Sequence, residues 1–335
     1  MLKSFAIIIS FLLLIIIGLL LWNAVSAPIN PQDKTTHDFL VTRGQSLSHV
    51  ASNLEKQGLI KNRTVFKWFT QISGQAGRIQ AGEYSLSPSY SLNQIMTTLV
   101  LGPKELWVTF PEGLRREEMA VKVIKTLSLD DERAEKFYGE FLTLTADQEG
   151  YLFPETYLFG KDVSANTVVQ KLASTFDAKI TDQMKNDAKK STLTFSELLI
   201  LASVVERETR TDEERAIVAG ILLKRINAKM PLQVDATLQY IAANKKCGIG
   251  YSGAKSCTWW AVPGADDRSI KSAYNTYLNH GLPPQPIANP SLSSLRAAIY
   301  PEDSPYWFYL HDSKGMIHYA KDGSEHQKNI EKYLK

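Results

Sequence analysis

The chain has 335 residues, a formal net charge of +3, 44% hydrophobic and 22% charged residues, and two cysteines. So small a charge, with no block of one sign, excludes a nucleic-acid binder that works by electrostatics. Two cysteines are too few for a Cys-only metal site, whereas the length suffices for one large or two medium domains.

The chain opens MLKSFAIIISFLLLIIIGLLLWNAVSAP. Phe5 to Trp22 carries no charge, and 18 residues of helix rise roughly 27 Å, close to the hydrocarbon thickness of a bilayer. Trp22 stands where an interfacial aromatic anchor belongs. A cleaved signal peptide competes, with Val25-Ser26-Ala27 as a small-residue cleavage site. The apolar run exceeds the roughly 7 to 15 residues of a signal core, and Pro28 hinders cleavage, so a retained anchor is expected. Residues 1–4 are then cytoplasmic, 5–22 span the membrane, and 23–37 form a polar linker. Lys3 precedes the span and residues 23–32 hold no Lys or Arg, which places the rest of the chain outside.

Phe39 to Thr42 reads as a strand, Arg43-Gly44 as a turn and Ser46 as a helix N-cap, with Leu47, Val50, Ala51 and Leu54 at helical spacing and Gly58 as the stop. Val65, Phe66, Trp68 and Phe69 begin another helix. Tyr84 to Leu86 is a strand, and Leu92, Ile95, Met96 and Leu99 mark a third helix. This strand–helix–helix–strand order around G-x-S-L-x-x-V-A, residues 38–102, resembles a LysM-type module, a small α/β fold that binds N-acetylglucosamine-containing glycans. A packing domain without a ligand is the other reading, since fold alone does not carry function.

KELWVTF then reads as a strand and Pro111-Glu112-Gly113 as a turn into a helix. Residues 130–147 are helical, 149–160 (EGYLFPETYLFG) are dense in aromatics, and 164–190 read as helix. In SELLILASVVERETRTDEERAIVAGILLKRI, residues 196–226, Thr194 and Glu197 form a capping box. Leu198 to Val205 are apolar round almost the whole circumference, the mark of a buried helix. Glu206 falls on the face of Leu199 and Ala202, and Glu208 roughly opposite. Residues two apart do not face each other, so these carboxylates cannot form one paired site. Thr211 and Glu214 start the next helix. A carboxyl held at the end of a buried helix has its pKa raised by desolvation, which suits a general acid. The competing reading pairs these charges with Arg207, Arg210 or Arg215.

Cys247 and Cys257, in KKCGIGYSGAKSCTWW, suggest a local disulfide in an oxidising compartment, with two buried thiols as the other reading. His311, His318 and His326 are too widely spaced for a local metal motif and are expected to face solvent or core. There is no G-x-S-x-G elbow and no phosphate-binding glycine loop, so no metal or cofactor is expected.

Five segments, EGYLFPETY at 149–157, ASVVERET at 202–209, RAIVAGILLKRINAKMPLQVDATLQY at 215–240, SAYNTYLNHGLPPQPIANPSLSSLRAAIYP at 272–301 and YWFYLHDSKGMIHYAKDGSEH at 306–326, match in order the YceG-like (MltG) family. The chain therefore resembles membrane-anchored endolytic lytic transglycosylases of bacterial peptidoglycan. The resemblance runs from the anchor to the C-terminus. It implies an α+β protein with a single transmembrane helix, the small LysM-like α/β module, and a larger α+β catalytic domain over 103–335. It implies residence in the cell inner membrane with the catalytic domain periplasmic.

The activity implied is that of a carbon–oxygen lyase cutting the MurNAc–GlcNAc bond within strands and leaving 1,6-anhydro-MurNAc ends, ending the growth of nascent glycan. Glu206, the first Glu of VERET, corresponds to the catalytic glutamate, general acid and then base. A lone Glu suits this scheme, since the nucleophile is the substrate's own 6-hydroxyl, whereas hydrolysis typically needs two carboxylates. Glu149, Tyr151, Glu208, Gln233, Asp235, Thr237, Tyr274, Asn275, Thr276 and Tyr277 are the substrate-binding candidates. Where the family often has LQTDPT this chain has LQVDAT, with Ala236 in the place of proline. The partners implied are glycan strands and peptidoglycan synthases, not nucleic acid. A non-enzymatic peptidoglycan-binding scaffold of the cell-wall synthesis machinery is the alternative.

Overall fold

The computed structural model describes residues 16–17, 22–42, 44–103, 105–248 and 250–334. Among them no helix is long and apolar enough to cross a membrane. The expected span, Phe5 to Trp22, lies outside the described residues apart from Ile16, Ile17 and Trp22. The chain divides into two compact units, one running to Trp107 and regaining Leu158–Lys161, the other comprising Val108–Tyr157 and Asp162–Lys335.

The first unit follows the order β1 (His37–Val41), α1 (Leu47–Lys56), α2 (Arg63–Ile72), β2 (Gly82–Leu86) and α3 (Leu92–Leu101), and reaches its boundary in β3 (Glu105–Thr109). β1 and β2 are antiparallel with Phe39 opposite Tyr84. The period-two alternation turns Phe39, Val41, Tyr84 and Leu86 inward, onto Leu54, Phe66, Ile95 and Leu99 of the helices. Each helix starts on a side-chain cap: Ser46 accepts from the His49 N–H, Asn62 from the Thr64 and Val65 N–H groups, and Ser91 pairs with Gln94 in a capping box.

The second unit continues with α4 (Arg116–Leu127), α5 (Asp131–Leu144), the first residues of β4 (Thr156–Gly160, whose Leu158–Gly160 belong to the first unit), α6 (Ala165–Lys179), α7 (Asp182–Ala188), α8 (Phe195–Glu208), α9 (Asp212–Asn227), α10 (Asp235–Lys246) and α11 (Gly250–Ala254). A 3-10 turn (Ala265–Ser269), α12 (Leu292–Ile299), the hairpin β5 (Phe308–His311) and β6 (Ile317–Ala320), and α13 (Gly323–Tyr333) complete it. Strand order in the larger sheet is β1-β2-β3-β4. The fold is α+β. The helix read over 164–190 is two helices: Ile180 turns extended, and the Thr181 side chain accepts from the Met184 N–H, capping a new start. A hydroxyl able to cap competes with helix continuation.

The core of this unit is built round α8, whose residues Leu198 to Val205 are all buried. It packs against α7, α9, α10 and α12. Cys247 and Cys257 are joined in a disulfide. Just beyond it, Trp259 lies over the buried Arg115 guanidinium at 4.6 Å and Trp260 over Arg207 at 3.9 Å. Tyr240 covers Arg115 at 4.1 Å, so this cation is held between two rings.

Candidate active site

The last turn of α8 brings two carboxylates to the edge of the core. Thr209 ends the helix in an extended conformation, with its hydroxyl donating to the Val205 carbonyl, and Thr211 caps α9 by accepting from the Glu214 N–H. Between these points Glu206 and Glu208 leave the helix on different sides, as a 100° step per residue requires.

Glu206 goes to the start of α12. Its Oε2 accepts from the Ser291 N–H at 2.8 Å, the Ser291 hydroxyl at 2.5 Å and the Ser294 hydroxyl at 2.7 Å. Its Oε1 faces Arg215 Nη2 at 3.4 Å, and the side chain is 7% exposed. This is a carboxylate at a helix N-terminus, where unpaired N–H groups and the dipole favour negative charge.

Glu208 goes the other way, into a cavity of about 590 Å³ between β5, α13, the start of α10 and the loop carrying Tyr277. Its Oε1 accepts the Ala236 N–H at 3.3 Å, in the first turn of α10, and its Oε2 accepts the Tyr309 hydroxyl at 3.0 Å. Burial pushes its carboxyl up to about 7, with the nearby charge of Asp235 in the same direction; Tyr309, Ala236 and Arg207 act against it. Asp235 lies on the cavity wall and accepts the Tyr277 hydroxyl at 2.6 Å. The Arg268 guanidinium stands 5.2 Å from the Tyr277 ring centroid. Gln233, also on the wall, adopts a left-handed φ of 53°, uncommon outside glycine. Its N–H is fixed on the Thr276 carbonyl, and the buried Thr276 hydroxyl accepts the Val234 N–H and meets Thr237 at 2.9 Å.

Of the residues anticipated from sequence, Glu208, Gln233, Asp235 and Tyr277 therefore share one cavity, with Thr237 and Thr276 buried beneath the loop they hold. The others lie elsewhere. Glu149 is sealed in the interior, 5% exposed, taking the Arg116 N–H and the Asn289 amide; burial and the neighbouring Glu117 raise it to about 8. Tyr151 packs edge-on against Phe176 and its hydroxyl meets Ser196. Tyr274 stacks on Tyr240 at 4.9 Å. Asn275 is fully buried and ties its own loop, donating to the Arg268 and Ile270 carbonyls.

Sequence reasoning missed Tyr309, Arg225, Arg268, His311 and His326. Two of the three histidines expected to face solvent or core, His311 and His326, are half-buried on the wall of this cavity, both with pKa lowered by burial. The signal was present in YWFYLH, an aromatic run too polar at its tips for a core strand. Arg225 is buried beneath Phe308 and donates to the Trp307 and Leu232 carbonyls, so it braces the wall rather than offering a free charge. Among the described residues no cluster of His, Cys, Asp or Glu is arranged to hold a metal ion. A second cavity, of about 440 Å³ beside Asp212, Arg296 and Tyr300, offers only a solvent-facing carboxylate, since Asp212 is 72% exposed.

Three comparisons bear on this geometry. A protein of Bacillus subtilis (strain 168), named endolytic murein transglycosylase, is 31% identical over 96% of this chain and 91% of its own length. One of the same name from Streptococcus pneumoniae (serotype 2, strain D39) is 27% identical over 92% of this chain and 60% of its own length. A crystal structure of a YceG-like protein from Listeria monocytogenes superimposes with a TM-score of 0.54 at 26% identity, covering 88% of this chain and 99% of that one. The model of the YceG-like family matches residues 39–332, and the chain belongs to that family.

Proposed function

We propose that this protein is an endolytic murein transglycosylase whose general acid is one of the two carboxylates at the end of α8: the family resemblance points to Glu206, and the cavity favours Glu208. One observation supports Glu208: it turns its carboxyl into a cavity of about 590 Å³, where burial raises it to about 7, while Glu206 turns to the start of α12. A group with that proton affinity is part protonated near neutral pH and can both give and take a proton.

The reaction can be written from the residues present. With a glycan strand across the cavity, the protonated Glu208 hands its proton to the glycosidic oxygen as the bond from the muramyl C1 breaks. The positive charge growing on C1 and the ring oxygen is stabilised by the Asp235 carboxylate, fixed in place by Tyr277. The 6-hydroxyl of the same sugar then attacks C1 and passes its proton to the Glu208 carboxylate. The glutamic acid is regenerated, a 1,6-anhydro end is formed, and no water is consumed. Tyr309 and the Ala236 N–H hold the carboxyl in one orientation through both proton transfers. Gln233 and Arg268 supply amide and guanidinium donors for sugar hydroxyls and acetamido groups.

The apolar stretch 5–22 is proposed as a single-pass inner-membrane anchor, with the rest of the chain in the periplasm. The first unit is proposed as a LysM-like module, on the strength of its β-α-α-β order. Incubation of purified glycan strands with wild type, Glu208→Gln and Glu206→Gln, followed by mass spectrometry, tests the reading. Anhydromuramyl ends are expected from wild type and Glu206→Gln and not from Glu208→Gln. Reducing ends from wild type would indicate hydrolysis and refute the proposed chemistry.

A further inference from the structure

The first unit carries an apolar helix stripe whose outer half, Trp68 and Ile72, its own core leaves exposed. At 100° per residue, Val65, Trp68, Phe69 and Ile72 of α2 fall within an arc of roughly 100°, at the spacing i, i+3, i+4, i+7 of one helix face. The residues of α2 that enter the core, Phe66 and Thr70, lie on a different face. Trp68 is 59% exposed and Ile72 64% exposed, while Val65 and Phe69 are half-buried at the edge of the stripe.

What covers the stripe is indicated by Trp22. Its ring sits 5.0 Å from that of Phe69, and Lys61 Nζ donates to the Ala24 carbonyl at 2.8 Å. The uncharged segment 5–22 thus ends on the stripe. Where that segment leaves a bilayer, α2 stands at the level of the headgroups. Lys61, Arg63 and Lys67 are basic residues on or beside the same helix, as in helices that lie in the interface beside anionic headgroups.

We propose that α2 lies in the membrane surface, with Trp68 and Ile72 inserted among the headgroups of the bilayer from which the chain emerges. The partner is the lipid surface itself, and the inference rests on the anchor reading of residues 5–22. A tryptophan at an acyl–headgroup boundary and long cationic stems reaching outward are a stable arrangement there. The first unit is then held at the bilayer by a tether and a face together, which fixes its orientation where a tether alone would leave it free to turn.

The test uses the full chain in vesicles of phosphatidylethanolamine and phosphatidylglycerol, with an environment-sensitive thiol probe at Ile72→Cys or, as control, at the exposed Asn93→Cys on α3. The native cysteines are joined to each other and do not label. Flotation of both proteins with the vesicles is expected. The probe at 72 should be quenched several-fold more by lipids bearing a nitroxide near the headgroup than the probe at 93, and should be shielded from aqueous iodide. Protein that floats while the two probes respond alike overturns the surface proposal and leaves the anchor standing. Protein that does not float overturns the anchor, and the proposal with it. Because Ile72 is an exposed side chain, the substitution leaves the core intact, which a matching urea midpoint in detergent verifies.

Discussion

Replacing Glu208 by Gln tests the sheltered carboxyl through stability as well as activity, because the variant keeps the side chain's shape and removes its proton. Folding raises this carboxyl from the ordinary 4.5 to about 7. At about 1.36 kcal/mol for each tenfold change in proton affinity, ionising it in the folded chain costs roughly 3 kcal/mol. The carboxyl binds its proton more tightly folded than unfolded. Its contribution is therefore whole below the unfolded value of 4.5 and is lost as pH rises through about 7. Gln escapes that loss. Its amide oxygen can take the Ala236 N–H while its amino group donates to the Tyr309 hydroxyl, which rotates to accept. Urea unfolding over a pH series should show the variant gaining on wild type as pH rises, by up to roughly 3 kcal/mol at about pH 9. Formation of anhydromuramyl ends should fall by about a hundredfold or more. A stability difference that stays flat from acid to alkaline pH refutes the sheltered carboxyl, and undiminished product refutes its catalytic role.

Glu206→Gln should behave in the opposite way: the amide cannot serve all the donors that the carboxylate serves, so stability near neutral pH should drop by roughly 1 to 3 kcal/mol in urea titrations while folded enzyme still forms product. For wild type, kcat/KM measured against pH should fall as pH rises through about 7, since only protonated Glu208 can begin the reaction. Tyr309→Phe removes a hydroxyl that favours the ionised form, so the proton affinity of Glu208 rises and the descending limb of that profile should move to higher pH; an unmoved limb would show that the phenol plays no part in tuning the acid. Reducing the Cys247–Cys257 bond, which closes a sequence separation of 10, should lower stability by roughly 3 kcal/mol in the chain-entropy model, read from urea midpoints with and without reductant.

The helices were legible because their signals are local. Ser46, Thr194 and Thr211 cap where the pattern places them, and the all-round apolar run of 198–205 is the buried centre of its unit. Gln233, Asp235 and Tyr277 came from the family resemblance, and the fold brings all three to one cavity. The surroundings of Glu206 and Glu208 were not legible. Periodicity shows that the two point apart, but the surroundings of each are delivered from far along the chain. Ser291 reaches Glu206 across 85 residues, and Tyr309 reaches Glu208 across 101. Helical spacing carries no information about contacts of that kind. The break at Ile180 was missed for a smaller reason: Thr181 can equally sit within a helix or start one, and only the packing of residues 182–188 decides.

The two glutamates differ in how fully their acceptor capacity is used. An ionised carboxylate offers about four lone-pair sites. Around Glu206 three donors converge on one oxygen and a guanidinium faces the other, and these bonds pin α12 to α8. Around Glu208 one backbone N–H and one phenol are the direct partners, which leaves acceptor capacity on both oxygens toward the cavity. Its neighbour there is Asp235, a second negative charge, whose effect is to favour the protonated form. A carboxylate with its partners complete serves as a fastening. One that is sheltered from water, incompletely paired and placed beside another anion holds its proton to higher pH, which is what the proposed acid requires. Since both sit in the same turn of the same helix, fastening Glu206 to α12 also fixes where Glu208 stands at the cavity.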